Sequence, residues 1–196
     1  TGELVPAAAE RWQVSDDGKE YTFYLREDAR WSNGDPLVAE HFVFALRRLV
    51  APQTAAFYAT MLADVVNAAD IVAGKRAPDS LGVLATGERT LQLRLERPTP
   101  YLLSLLTHPS TFPVHPASVA EHGDAFARPG KLLSNGAYVL DGWAIRSRID
   151  LVKNANYWDA ENVIIEKVHY YPFEDQSTAL KRFRRGRLHW TAEVPV

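Results

Sequence analysis

Histidines are the residues in this 196-residue sequence whose spacing could most readily support metal chemistry. His108, His115 and His122 recur every seven residues, which would bring three imidazoles to one face of a helix, where they could hold a metal ion. Three prolines lie among them and would break any such helix. The pattern is therefore typical of solvated loop histidines, and we predict no metal site and no cofactor.

The sequence supports a catalytic nucleophile no better than it supports a metal site. Ser104 and His108 lie four residues apart near a predicted helix end, a spacing that often arises by chance. The Gly-x-Ser-x-Gly, Gly-x-Gly-x-x-Gly, P-loop and His-Glu-x-x-His signatures are all absent from the sequence. Asp16-Asp17-Gly18 lacks the further acidic ligands of a calcium loop. We predict that the chain is not an enzyme, with an unrecognised hydrolase domain as the alternative.

Composition narrows the possible partners. The chain is 46% hydrophobic and 11% aromatic, which suffices for a substantial core, and its formal charge of −2 gives no basic field for nucleic acid. No run of eighteen apolar residues is present, so we expect contact with a membrane only through a transporter or a lipid anchor outside this chain. The absence of cysteine excludes disulfides and suits an exported protein.

The residues 31–49, WSNGDPLVAEHFVFALRRL, organise the rest of the chain. Four turn-forming residues from Asn33 to Pro36 precede apolar side chains at helical spacing, which predicts a turn followed by a helix. Val38 and His41 stand where a capping box would have a hydroxyl and a carboxylate. We therefore expect no capping box, at a cost of about 1 kcal/mol at most.

The remaining elements follow from alternation, helical spacing and turn residues. These patterns predict a hairpin within residues 4–26, strands at 81–86, 90–95, 137–144, 148–154, 163–171 and 188–192, and helices at 54–62, 65–73, 101–106, 117–122 and 175–185. Prolines are concentrated between Pro109 and Pro129, and we predict a boundary between two parts of the chain there. The mixture predicts an α+β or mixed α/β fold in two lobes.

The stretch 31–49 resembles the signature region of the extracytoplasmic solute-binding proteins of peptide ABC transporters, the oligopeptide-binding group in particular. Other matching motifs follow in order: YTFYLR at 21–26, TAAFY at 54–58, AGKRAPDSLGV at 73–83, PTPY at 98–101, HPSTFPV at 108–114, SNGAYVL at 134–140 and NANYWD at 154–159. The resemblance implies part of a two-lobed, type II periplasmic-binding-protein fold. Residues 1–116 match the smaller lobe, and residues 117–196 match an incomplete return segment into the first lobe, so we expect a fragment.

The function implied by this resemblance is capture of short oligopeptides between two lobes and delivery to the permease subunits of an ABC transporter. The implied location is the periplasm, or the outer side of the membrane through a lipid anchor in a Gram-positive organism. Other ligands bound in the same family, namely a dipeptide, a nickel chelate, an opine or a sugar, are the alternatives. Charged groups that grip peptide ends come largely from the family's C-terminal portion, so we assign none here.

Four residues are candidate peptide-binding residues by resemblance. Tyr58 matches the cleft-facing tyrosine of a Thr-Ala-x-x-Tyr segment, although Phe57 stands where a proline is usual. His108 matches a histidine near the cleft wall. Asn135 and Gly136 belong to a Ser-Asn-Gly-Ala-Tyr segment that follows the crossing between lobes, where a role in a turn is the alternative.

Overall fold

Two antiparallel sheets form the framework of the computed structural model, which describes residues 3–191. The first sheet contains Ala9–Val14 (β1), Glu20–Leu25 (β2), Val83–Gly87 (β3) and Thr90–Arg94 (β4), in the order β1-β2-β4-β3. The second contains Tyr138–Ala144 (β5), Arg148–Lys153 (β6) and Lys167–Tyr170 (β7), in the order β5-β6-β7. The mixed α/β architecture predicted from the sequence is confirmed.

Five α-helices accompany the sheets in the described part of the chain. They are Ala39–Val50 (α1), Ala68–Val72 (α2), Leu102–Leu105 (α3), Pro116–His122 (α4) and Gln176–Arg184 (α5). Short 3₁₀ turns cover Pro52–Thr54, Ala59–Leu62, Pro78–Ser80, Pro109–Thr111, Gly123–Ala127 and Ala160–Asn162. Within residues 3–191, no helix has the length and apolar character needed to cross a bilayer.

The main hydrophobic core lies between α1 and the first sheet. Alternate residues of β2 and β4 are buried and face each other across the ladder, Tyr21 opposite Leu93 and Phe23 opposite Leu91. α1 contributes its predicted apolar face to the same cluster, with Val43, Leu46, Leu49 and Val50 buried. The predicted hairpin of β1 and β2 and the burial of one face of β4 are confirmed.

Four sequence-based element predictions need correction. The strand predicted over 163–171 forms only over Lys167–Tyr170. The helix predicted over 54–62 is wrong, because Ala55 adopts a left-handed conformation (φ 47°) and separates two 3₁₀ turns. α2 begins later than predicted, since Val65 forms a bridge with Leu95 and Asn67 is also left-handed (φ 67°). The strand predicted over 188–192 is wrong for residues 188–191, which join no ladder, while Ala192 lies outside the described residues.

The predicted absence of a capping box on α1 is only half right. The Val38 side chain has no hydrogen-bonding atom, so the cap itself is missing. His41 makes the second hydrogen bond of a capping box, because its Nδ1 accepts from the Val38 amide at 3.4 Å. The same Nδ1 accepts from the indole Nε1–H of Trp31 at 2.9 Å. His41 therefore fixes the start of α1 to a buried tryptophan.

Ser32 joins the early part of the chain to the segment that follows α4. Its amide donates to the carbonyl of Ser134 at 2.7 Å, and its hydroxyl accepts from the Ser134 amide at 3.2 Å. The Ser32 carbonyl accepts from the side-chain amide of Asn156 at 2.9 Å. The turn that contains Ser32 is thus hydrogen-bonded to the segment that follows α4.

Burial differs strongly between the two segments. Among the described residues, the buried hydrophobic side chains all lie between Tyr21 and Leu102, apart from Ala179 on α5. Around the second sheet large apolar side chains are exposed: Trp143, Ile145, Ile164, Ile165 and Tyr170. The first sheet has a closed core, and the second sheet has none of comparable size within residues 3–191.

Gly82 provides a test of the packing between the strand entry to β3 and the preceding loop. A Cβ at this position would lie 2.7 Å from Val66 Cβ and 2.8 Å from the carbonyl oxygen of Arg94. We expect Gly82→Ala to lower the free energy of unfolding by about 1–3 kcal/mol, because backbone atoms must move to admit the methyl group. Urea denaturation followed by circular dichroism measures the change.

Gly87→Ala is the matched control, since the nearest atom to a Cβ there is the Thr90 hydroxyl oxygen at 3.6 Å. Its stability should change by less than about 0.5 kcal/mol. Equal losses in the two variants would contradict this description of the packing.

Candidate functional site

A large apolar cavity opens between the first sheet and the turns that flank the β5–β6 hairpin. Its volume is about 650 Å³, within the range of about 300–1,000 Å³ typical of small-ligand pockets. Sheet and helix residues form one side, including Trp12, Phe42 and Leu103. Loop residues form the other, including Phe112 and Trp158. The cavity is therefore bounded by both segments that Ser32 joins.

Asn135 and Gly136 line this cavity, together with Ser134. The bend that carries them is held from behind by Asn154, which is 2% exposed. Asn154 Nδ2 donates to the Gly136 carbonyl at 2.8 Å, and the Gly136 amide donates to Ser134 Oγ at 3.1 Å. Asn135 and Gly136 can form a bend and also line the cavity. The backbone of the bend is held by these hydrogen bonds, and Asn135 is half-exposed at the cavity wall.

Tyr58 and His108 meet in a separate aromatic pair. Their ring centroids lie 4.5 Å apart, and Phe57 packs edge-on against Tyr58 at 5.0 Å. Tyr58 is 44% exposed and Phe57 is 88% exposed, so the pair presents aromatic surface to solvent. His108 Nδ1 accepts from the Ser110 amide at 3.2 Å, which leaves Nε2 as the donor of the neutral ring. The pair can stack on an apolar group and hydrogen-bond at its edges.

The four candidate residues therefore form two groups. Asn135 and Gly136 line the cavity, whereas Tyr58 and His108 are not among its lining residues. The loop from Thr107 to Phe112 connects the groups, because its two ends line the cavity and His108 lies between them.

The cavity offers little charge to a ligand. Among the described residues that line it, Glu3 alone carries a formal charge at neutral pH. Tyr157 also lines it, and burial, with Asp159 adding to the effect, raises the pKa of its phenol despite the opposing charge of Arg26. The phenol is a neutral hydrogen-bonding group at physiological pH. This wall suits apolar side chains and neutral backbone groups rather than charged peptide ends.

The histidines at seven-residue spacing do not share a helical face. The prediction that all are solvated loop residues is wrong for His115, whose side chain is 10% exposed, and for His122, which lies in α4. Its Nε2 lies 3.0 Å from Asp35 Oδ2, and its Nδ1 accepts from the Ser118 amide at 3.3 Å. No group of three metal-ligating side chains occurs within residues 3–191.

Sequence reasoning missed most of the aromatic cavity wall. Trp12 was visible only as one member of a predicted strand, and Trp158 only as part of a matched motif. The Arg26 guanidinium lies 3.7 Å from the ring centre of Trp158, which holds the indole against the end of β2. This contact joins residues far apart in the sequence, so no local pattern could have revealed it.

Known proteins match nearly the whole length of the chain. The model of the bacterial extracellular solute-binding proteins, family 5 Middle, matches residues 3–196. The chain belongs to this family. It is 43% identical to the probable deoxycholate-binding periplasmic protein YgiS of Escherichia coli, covering 97% of this chain and 36% of YgiS. It is 40% identical to the periplasmic oligopeptide-binding protein OppA of Salmonella typhimurium, covering 97% of this chain and 35% of OppA.

A solved structure of an oligopeptide-binding protein agrees closely in fold. Haemophilus influenzae OppA in complex with the peptide RPPGFSPFR superposes with a TM-score of 0.93 and 43% sequence identity, covering 95% of this chain and 37% of that chain. The predicted fold and the predicted resemblance to oligopeptide-binding proteins are confirmed. The chain spans just over a third of the length of these relatives.

Asn154 offers a test of how the cavity bend is held. We expect Asn154→Asp to lower the free energy of unfolding by about 3 kcal/mol at neutral pH. The reason is that a buried carboxylate would face the carbonyl oxygens to which the amide now donates. The loss should shrink as pH falls through the raised pKa of the new carboxyl, since the protonated acid can donate again. Urea denaturation across a pH series measures both effects.

Gln53→Glu is the control, because Gln53 is exposed. Its stability should change little and without the recovery in acid. A pH-independent loss in Asn154→Asp would show that the bend does not depend on the Asn154 donor.

Proposed function

We propose that this chain forms part of the peptide-binding region of an ABC-transporter solute-binding protein that captures short peptides. The observation that carries the proposal is an apolar cavity and an exposed aromatic pair, joined by one loop, in a chain that belongs to the family-5 solute-binding proteins. Both features suit a ligand with variable side chains and a neutral, hydrogen-bonding backbone. Tyr58, His108, Asn135 and Gly136 are the proposed contacts.

The relatives' names support peptides as the ligand class. OppA of Salmonella typhimurium is named as an oligopeptide-binding protein, and the Haemophilus influenzae relative holds a nonapeptide. YgiS, named as probably deoxycholate-binding, raises an amphipathic steroid acid as the competing ligand, which an apolar cavity would also admit. Peptides are favoured because the polar edges of Tyr58 and His108 and the half-exposed amide of Asn135 provide separated hydrogen-bonding groups along a path.

The organisation into lobes belongs to the same proposal. We assign residues 1–116 to the smaller lobe and residues 117–196 to the return segment into the larger one. Support comes from the closed core of the first sheet and from the exposed apolar residues around the second. In this arrangement Ser32 and its partners lie at the junction between lobes.

The biological setting is also proposed. Delivery to permease subunits and a periplasmic location are supported by the family and by relatives named periplasmic. A binding role without catalysis is supported by relatives that are solute-binding proteins. Incubation with short peptides should therefore yield bound peptide without cleavage products, as followed by mass spectrometry.

Tyr58 tests the proposed contact surface. In the complete gene product, Tyr58→Ala should weaken binding of tri- to pentapeptides by about tenfold or more, which corresponds to about 1.4 kcal/mol, because an exposed stacking ring is removed. Isothermal titration calorimetry with a peptide mixture and with deoxycholate measures both ligand classes.

Tyr101→Ala serves as the matched control. Tyr101 is 55% exposed, but its hydroxyl bonds Asp64 Oδ2 at 3.1 Å and its ring is not stacked on His108. Its peptide affinity should stay close to that of the unaltered protein. Binding of deoxycholate without binding of any peptide would overturn the proposed ligand class.

A further inference from the structure

A compact cluster of rings lies at the junction between α1 and α4, away from the proposed peptide contacts. Trp31 is 1% exposed, and its ring centroid lies 5.6 Å from that of His41 and 5.2 Å from that of His115. The two imidazole centroids are 5.3 Å apart. Asp35 closes the cluster through its 3.0 Å contact with His115 Nε2.

Both imidazoles use Nδ1 as a hydrogen-bond acceptor. His41 Nδ1 accepts from the Trp31 indole at 2.9 Å, and His115 Nδ1 accepts from the Ser118 amide at the first turn of α4 at 3.3 Å. A protonated imidazole has no acceptor nitrogen. Each bond therefore requires its ring to be neutral, and protonation of His41 would leave the indole N–H of a buried tryptophan without its acceptor.

We propose that Trp31, Asp35, His41 and His115 form a proton-sensitive joint that holds α4 against the start of α1 at neutral pH and loosens on acidification. The joint links positions separated by 80 residues, because His115 both caps α4 and contacts Asp35 in the early turn. His41 stands where a capping box would have a carboxylate, so an imidazole nitrogen takes the accepting role there.

Burial and nearby charges favour the neutral form of His41 in the folded protein. Burial lowers the pKa of His41, and the neighbouring His115 lowers it further, while Asp35 opposes both. Hydrogen bonds from Asn33 and His115 hold the pKa of Asp35 below its usual value. Of the other charged side chains on these elements, Arg30 bonds the Gly34 carbonyl and Glu121 pairs with His122 at the end of α4.

The sign of the pH effect follows from the lowered pKa. The folded protein favours neutral His41, so the unfolded chain binds more protons below the ordinary histidine pKa of about 6.5. The stability from this bond is complete above that pH. It is lost as pH falls towards the lower pKa of His41 in the folded protein.

The test is a nuclear magnetic resonance titration from about pH 7.5 to about 4.5, across the histidine range. His41 should titrate below about 6.5, and the Trp31 indole resonance should shift with the same midpoint. In His41→Asn, whose Oδ1 can replace Nδ1 as acceptor without titrating, the indole shift should disappear. In His115→Gln the His41 midpoint should rise, because the neighbouring imidazole that lowers the pKa of His41 is removed.

His122→Gln is the matched control and should leave the His41 midpoint unchanged. An indole resonance that stays constant while His41 titrates in the folded protein would overturn the joint, as would an unaltered indole shift in His41→Asn. If His41→Asn does not fold at neutral pH, the common midpoint in the unaltered protein and the shift in His115→Gln decide the matter.

A consequence for ligand binding rests on the proposed function. α4 follows the loop that carries His108 and Phe112, so a loosened joint would displace one edge of the proposed site. Peptide affinity of the complete gene product should fall on acidification, and fall less in His41→Asn. Absence of peptide binding at any pH would contradict the proposed function and leave the resonance test of the joint intact.

Discussion

The hydrogen bonds between Ser32 and Ser134 are the constraint on which the rest of the structure depends. They join a turn that precedes the main core helix to a bend that precedes the second sheet. Buried Trp31 holds the turn on one side, and Asn154 holds the bend on the other. The cavity exists because these two anchored backbones keep the second segment at a fixed distance from the first sheet.

This arrangement explains why the most recognisable stretch of the sequence contains none of the proposed peptide contacts. Its residues position other parts of the chain. They form a tight turn, an indole that donates to His41, and a backbone that bonds Ser134. The proposed contacts lie on neighbouring loops that this geometry positions. A fixed junction flanked by loops fits the proposed binding of ligands that share a backbone and differ in their side chains.

The sequence predicted those parts of the fold that local physics determines. Alternation at Leu91 and Leu93 and helical spacing along α1 gave the correct elements, because burial of one face imposes a fixed period. The left-handed conformation of Ala55 was unpredictable, since alanine rarely adopts a positive φ. Asn67 is of a type that adopts it more often, and long-range bonds to Glu96 and Ser80 hold it there.

The candidate site shows the same division between local and distant effects. The burial of His115 depends on Asp35 and Trp31, which lie about eighty residues away in the chain, so no local pattern indicates it. Tyr58 and His108 were proposed separately, from two matched motifs, and only the folded structure brings their rings together. The cavity wall formed by Trp12 and Trp158 required knowledge of how the segments pack, which no single-sequence pattern contains.

Hydrogen–deuterium exchange of the complete gene product, with and without a saturating peptide, tests the central claim most directly. The account predicts that peptide slows exchange at the amides near Tyr58, in the loop from Thr107 to Phe112 and in the bend at Asn135. Amides of the β2–β4 ladder should stay equally protected in both states. Peptide that binds without altering exchange in these three loops would contradict the account.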